Sequence, residues 1–85
     1  MTSTKERTDM DNKTLIVINT EALNPIVYSA KIDSRFSISD AAREFFRENE
    51  MKFGEWEIES IESELSHGDC YWKDELYCFC IVPSN

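Results

Sequence analysis

The helical signal of this chain is concentrated in SISDAAREFFRENEM, residues 37–51. Apolar side chains recur there at three- and four-residue spacing, which is the pattern of an amphipathic helix with one buried face. Ser37, followed three residues later by Asp40, matches a capping box and sets the expected start of the helix. Gly54 marks its expected end. The predicted buried face consists of Ile38, Ala41, Ala42, Phe45 and Phe46.

Segments on both sides of this helix have strand patterns. Residues 14–19 are β-branched and apolar on both faces, which is typical of a central strand. Residues 26–33 alternate apolar and polar side chains and predict a second strand, paired with the first in a hairpin. Residues 55–65 begin with the same alternation, and a β-bulge near Ser60 would keep their apolar side chains on one face. Residues 76–82 are again apolar on both faces and predict an interior strand.

The predicted fold is therefore α+β, with the order β-β-α-β-β and one helix on one face of a four-stranded antiparallel sheet. The polar residues 1–12 predict a flexible tail, and residues 13–85 predict a single domain. The first residues lack the apolar segment of a secretory signal, and the longest apolar run is far shorter than a membrane span. We therefore expect a cytoplasmic protein that does not bind membranes.

The charge is strongly and unevenly acidic. The 85 residues contain 17 acidic and 9 basic side chains, a formal charge of −8. Twelve of the acids and only four of the bases lie in residues 40–75, and residues 55–64 contain no lysine or arginine. A surface of this charge repels phosphates, so direct binding of nucleic acid is not expected.

The acidic segment predicts a row of carboxylates. Alternate residues of a strand lie about 6.6 Å apart on one face, which would align Glu55, Glu57 and Glu59. Glu62 and Glu64 extend the row if the bulge is present. Such a row has two interpretations, either a phosphate-like surface that fits a basic groove or a solvated outer face.

A second candidate group of residues follows in the expected loop after this strand. Tyr71 and Trp72 are flanked there by acids, and aromatic side chains in such a setting suit an interface hot spot. The alternative is that both rings fold back over the sheet edge. The complete predicted partner-binding set is Glu55, Glu57, Glu59, Glu62, Glu64, Asp69, Tyr71, Trp72, Asp74 and Glu75.

The three cysteines are expected to be reduced thiols, because their number is odd and the expected compartment is reducing. Together with His67, they have the ligand count of a structural zinc site. Their spacing is looser than that of common zinc knuckles, and the apolar neighbours of Cys78 and Cys80 favour a strand interior. We therefore assign no metal ligand and no cofactor, and a zinc-binding module remains an alternative. Cys70 with His67 lacks the third group of a nucleophilic site, so no enzyme activity is predicted.

The segments SDAAREFFRENE and GEWEIESIESEL, the strand pair and the charge of −8 together resemble small acidic phage-encoded inhibitors of host defence. The best-known examples are anti-CRISPR and anti-restriction proteins that imitate DNA. The resemblance spans residues 14–82 and is one of size, charge and layout. It implies a stoichiometric inhibitor that occupies the DNA-binding surface of a CRISPR effector complex in the host cytoplasm.

Two other functions fit the same composition. Small acidic immunity proteins that neutralise nuclease toxins are similar on the same grounds, with a nuclease as the alternative partner. A subunit of a larger assembly would instead show a large exposed apolar patch.

Overall fold

A computed structural model describes residues 13–83 of the chain. The elements in order are β1 (Lys13–Asn19), β2 (Ile26–Ile32), α1 (Ile38–Glu48), α2 (Glu55–Ser66), β3 (Tyr71–Lys73) and β4 (Tyr77–Pro83). The α+β class and the four-stranded antiparallel sheet are confirmed, but the order is β-β-α-α-β-β. The predicted tail, residues 1–12, lies outside the described residues.

The four strands form one sheet in the order β2-β1-β4-β3. The predicted hairpin is present, with Val17 opposite Tyr28 and a register shift after Val17. The last strand lies inside the sheet between β1 and β3, as its two apolar faces predict. Both interior strands are therefore those whose sequences are apolar at consecutive positions.

The predicted third strand is wrong, because residues 55–65 belong to the helix α2. Ile58, Ile61 and Leu65 recur at three- and four-residue spacing, and all three are at most 3% exposed. In a strand, the apolar positions of this segment would change sides after Ile58, and a bulge would be needed to keep them on one face. In a helix, the same spacing of three and four residues places them on one face directly. Glutamate also favours helices and is depleted in strands. The third strand of the sheet is instead the short β3.

The helix α1 matches its prediction. The Ser37 hydroxyl accepts a hydrogen bond from the Asp40 amide at 3.1 Å, and the Asp40 carboxylate accepts one from the Ser37 amide at 3.1 Å. This reciprocal capping box satisfies two backbone donors that would otherwise lack partners. The buried face of α1 contains Ala41, Ala42, Phe45 and Phe46 as predicted.

The core lies between the sheet and the two helices. Leu15, Val17 and Phe79 project from the interior strands and are fully buried against the helices. The ring of Phe45 meets that of Phe79 edge to face, with centroids 5.4 Å apart. Since α1 and α2 both cover this face, the opposite face of the sheet has no helix over it; we call it the open face. Within residues 13–83, no helix is long and apolar enough to cross a membrane.

Candidate functional site

The carboxylates of α2 form a stripe along the helix. Glu55, Glu59 and Glu62 are spaced four and three residues apart, which places them on one face of an α-helix. All three are exposed, and Asp40 of α1 is exposed beside them. We call this surface the acidic ridge; it consists of Asp40, Glu55, Glu59 and Glu62.

Arg43 joins the two helices at the acidic ridge. Its Nη2 lies 2.8 Å from the Glu55 carboxylate, and its Nη1 lies 3.8 Å from the Asp40 carboxylate. The hydrogen bond to Glu55 is the main cause that raises the pKa of Arg43, and the charges of Asp40 and Glu62 add to it. Three carboxylates, those of Asp40, Glu55 and Glu62, thus act on a single guanidinium. Sequence analysis missed Asp40 and Arg43 because their role depends on the position of α2.

Ser39 makes the second link between the helices. Its hydroxyl donates a hydrogen bond to the Glu62 carboxylate. With the pair formed by Arg43 and Glu55, this bond connects both ends of the stripe to α1. Two of the three carboxylates that α2 contributes to the acidic ridge are therefore held in place by side chains of α1.

Glu57 does not belong to this surface. On a helix it lies about 200° around the axis from Glu55, so the prediction that the two face outward together is wrong. Glu57 is only 5% exposed. Its Oε2 accepts hydrogen bonds from the Tyr71 hydroxyl at 3.0 Å and from Lys73 Nζ at 3.1 Å. The carboxylate therefore connects α2 to β3 inside the fold.

Tyr71 and Trp72 lie in β3 and not in an exposed loop. Tyr71 faces the helices, and its ring meets that of Phe79 edge to face at 6.0 Å. Burial and the hydrogen bond to Glu57 raise the pKa of Tyr71 to about 12, so its hydroxyl stays protonated at neutral pH. Trp72 points to the open face and is 53% exposed. The two aromatic side chains therefore do not form one hot spot.

The remaining predicted residues are exposed but separated from the acidic ridge. Glu64 lies about 180° around α2 from Glu55, and Asp69 is in the loop between α2 and β3. Asp74 and Glu75 form the turn between β3 and β4, each with a φ of 57°. The fold thus brings together Glu55, Glu59 and Glu62 from the predicted set and disperses the others.

The cysteines gather at the open face. Cys78 and Cys80 alternate along β4 and share that face. Cys70 directly precedes β3, and its Sγ lies 3.3 Å from that of Cys80. The Sγ atoms of Cys78 and Cys80 are 3.5 Å apart. His67 is not part of this cluster, because it caps α2 with its Nδ1 2.6 Å from the Ser63 carbonyl oxygen.

The environment of Cys78 and Cys80 raises the pKa of both thiols and keeps them protonated at neutral pH. Burial is the main cause that raises the pKa of Cys80 to about 12, and hydrogen bonds with Cys70 and Cys78 add to the shift. Burial also raises the pKa of Cys78. A nucleophilic cysteine needs the opposite shift. The neighbouring residues on the open face are Ile16 and Ile18 of β1, Trp72 of β3 and Val82 of β4, with the polar Thr14, Ser29 and Lys31 toward β2.

No protein-family model, curated protein or solved structure matches this chain. The fold and the surface chemistry therefore define the class of protein by themselves. It is a small acidic α+β domain with two helices on one face of a four-stranded sheet. The helix layer carries the exposed carboxylates of the acidic ridge, and the open face carries three thiols.

Proposed function

We propose that this domain is a non-enzymatic inhibitor that binds the basic nucleic-acid-binding surface of a target protein through the acidic ridge. The observation that carries the proposal is the stripe of Glu55, Glu59 and Glu62 on a helix that contains no lysine or arginine. Solvated helix faces usually mix charges of both signs, since pairs four residues apart stabilise the helix. A helix with carboxylates alone gives up that stabilisation.

The acidic ridge places a linear array of negative charge along α2. Its carboxylates on this helix are Glu55, Glu59 and Glu62, all exposed on one face. At a rise of 1.5 Å per residue they supply one negative charge per about 5 Å of helix axis. One strand of B-DNA supplies one charge per about 3.4 Å. A groove lined with lysine and arginine to hold a phosphate backbone would therefore find a similar linear array on this helix.

The acidic ridge is also held in place before binding. Arg43 fixes Glu55, and Ser39 fixes Glu62, so these side chains have less freedom to lose when a partner binds. The buried side of α2, with Ile58, Ile61 and Leu65, anchors the backbone beneath them. Ordering of interface side chains is one of the main costs of association, and a surface ordered in advance reduces it.

The class of partner follows from this electrostatic complementarity. A CRISPR effector complex, whose DNA-binding channel is positively charged, is the partner that we propose. A nuclease toxin offers the same chemistry and is the alternative. Either partner should associate quickly, and its binding should weaken as salt increases, because exposed charges are screened within about 8 Å at physiological ionic strength.

Charge reversal on the acidic ridge tests the proposal. The variant E55K/E59K/E62K removes the stripe, and E21K/E48K/E50K makes the same change at exposed acids elsewhere. Three Glu→Lys changes raise the formal charge by six in both variants, from −8 to −2. Each protein is added to a purified effector complex, and in a second arm to a DNA-cleaving toxin, and binding of labelled DNA is measured. Circular dichroism confirms that the variants are folded.

We expect the native chain and the control variant to displace DNA, and the stripe variant to fail. Loss of a few close charge pairs should weaken inhibition by at least about 100-fold. Equal loss in both variants would show that only net charge matters and would contradict a defined binding surface. Unchanged inhibition in the stripe variant, or no displacement of DNA from either target by the native chain, would also overturn the proposal.

A further inference from the structure

We propose that Cys70, Cys78 and Cys80 form a three-thiolate binding site for a soft d10 metal ion, Cu(I) or Zn(II). The site lies on the open face, away from the acidic ridge, and does not depend on the function proposed above. The three Sγ atoms all lie within 4.8 Å of one another. Among residues 13–83, this is the one group of three or more metal-binding side chains whose ligand atoms converge.

The sheet itself creates this convergence. In the pairing of β3 with β4, Tyr71 is opposite Phe79, so Cys70 follows as the neighbour of Cys80. Cys78 is two residues from Cys80 and therefore projects to the same side of β4. Two positions on β4 and the residue just before β3 make a triangle. The hydrogen-bonded ladder fixes Cys78 and Cys80, and Cys70 is adjacent to Tyr71, the first paired residue of β3.

The distances suit a bound metal ion. Zinc–thiolate bonds of about 2.3 Å in a tetrahedral arrangement place neighbouring sulfurs about 3.8 Å apart. The sulfur separations of 3.3 Å and 3.5 Å that involve Cys80 are a few tenths of an ångström shorter. Small side-chain rotations would open the triangle to that size. Thiolate sulfur is the ligand that selects Cu(I) and Zn(II) over harder cations.

A cavity beside the thiols supplies an approach for the metal ion. Cys70 and Cys80 line a cavity of about 170 Å³ whose wall also includes Lys13 and Asp69. The cavity gives a metal ion access to two of the three sulfurs. Three thiolates with one Zn(II) or Cu(I) carry a net negative charge, and the cavity wall contains one side chain of each sign, Lys13 and Asp69. As each metal–sulfur bond forms, the thiol releases its proton to water, and no electron is transferred.

The site differs from the four-ligand zinc module considered from the sequence. His67 is directed at the Ser63 carbonyl oxygen, so the protein supplies three sulfur ligands at this position. Cu(I) is satisfied by three thiolates, whereas tetrahedral Zn(II) would take its fourth ligand from solvent through the cavity. Either ion would therefore use the same three sulfurs, and the coordination number would distinguish the two complexes.

Anaerobic metal titration of the full chain, kept reduced by a phosphine, tests the proposal. Co(II) serves as the spectroscopic substitute for Zn(II), because thiolate-to-cobalt charge-transfer bands report sulfur ligation; Cu(I) is titrated separately. The variants C70S and C80S each remove one ligand, and H67A is the matched control. Cys70 is exposed, so C70S should remain folded, which circular dichroism verifies.

We expect one equivalent of metal per chain with thiolate charge-transfer bands in at least one arm. Since loss of an outer-shell partner alone costs 10–100-fold in affinity, loss of a sulfur ligand should cost at least about 100-fold. H67A should bind as the native chain does. Absence of charge-transfer bands with both metals, unchanged affinity in C70S and C80S, or a loss in H67A as large as that in C70S would each overturn the three-thiolate site.

Discussion

Glu57 shows at the scale of a single residue how this fold uses one of its many acids for structure. The Glu57 side chain is buried between α2 and β3, where the Tyr71 hydroxyl and the Lys73 ammonium group donate hydrogen bonds to its carboxylate. The ammonium of Lys73 also lies 5.3 Å from the centroid of the Phe46 ring, a cation–π distance. One ion pair thus connects α2, β3 and the aromatic core. A charge removed from water in this way needs all of its partners.

Replacement of Glu57 by alanine should therefore destabilise the domain. We expect a loss of about 2–3 kcal/mol in the free energy of unfolding, because Lys73 would keep a largely buried charge without its counter-ion. Urea unfolding followed by circular dichroism measures the change. The control is E59A, an exposed glutamate two residues away, which should change stability by less than about 0.5 kcal/mol. Equal effects of the two variants would contradict a structural role for Glu57.

At the scale of the elements, the local sequence pattern was enough to predict four of the six helices and strands that the structure describes. The segments that became β1, β2, α1 and β4 carry their own periodicity and caps, and each is placed within a few residues by the sequence. The helix α2 is different because its first four residues, Glu55 to Ile58, alternate as a strand would. Only the spacing from Ile58 through Ile61 to Leu65 distinguishes the helical period of about 3.6 residues from the strand period of two. A strand with a β-bulge accounts for the same apolar positions, so the sequence pattern did not exclude it.

The acidic ridge was predicted only in part for a related reason. The concentration of carboxylates in residues 55–64 is visible in the sequence, but which of them share a face depends on the type of element. A strand aligns Glu57 with Glu55, whereas a helix aligns Glu59 and Glu62 with it. The link from Arg43 to Glu55 spans twelve residues and depends on how two helices pack. No local pattern contains that information.

The turn between β3 and β4 is the element whose sequence fits its backbone least well. Asp74 and Glu75 both have a φ of 57°, and the Leu76 amide donates to the Lys73 carbonyl oxygen at 3.1 Å. Within the three-residue connection from Asp74 to Leu76, this is a β-turn whose two central residues both have a positive φ, a conformation that favours Asn-Gly. Side chains other than glycine are strained in this region. The turn therefore carries conformational strain at two consecutive acids.

Replacement of Glu75 by glycine should relieve part of that strain. We expect E75G to raise the free energy of unfolding by about 0.5–1 kcal/mol, since glycine adopts a positive φ without steric cost. Urea denaturation provides the measurement. As a control, E21G places glycine in the turn after β1, where φ is not positive, and should leave stability unchanged or lower it. A loss of stability in E75G comparable to that in E21G would contradict this explanation.

At the scale of the whole molecule, the sheet separates two kinds of surface chemistry. The helix layer carries hard, charged oxygen ligands in the acidic ridge, with Arg43 as the cation among them. The open face carries soft sulfur ligands beside apolar side chains such as Ile16, Ile18 and Trp72. The first surface suits long-range attraction of a basic partner, and the second suits short-range coordination of a metal ion.

This separation predicts that the two proposed activities are independent. The acidic ridge and the cysteines lie on opposite sides of the sheet, and exposed charges are screened within about 8 Å at physiological salt. The variant E55K/E59K/E62K should therefore bind metal with an affinity within about threefold of that of the native chain. A threefold change corresponds to less than about 1.4 kcal/mol of binding free energy, which is the energy of a tenfold change. In the same way, C70S should displace DNA from the target as well as the native chain does. Both variants are measured in both assays. If C70S also failed to displace DNA while remaining folded, the metal site would be part of the binding surface, because a change confined to the open face can reach the partner only through contact or through an altered fold.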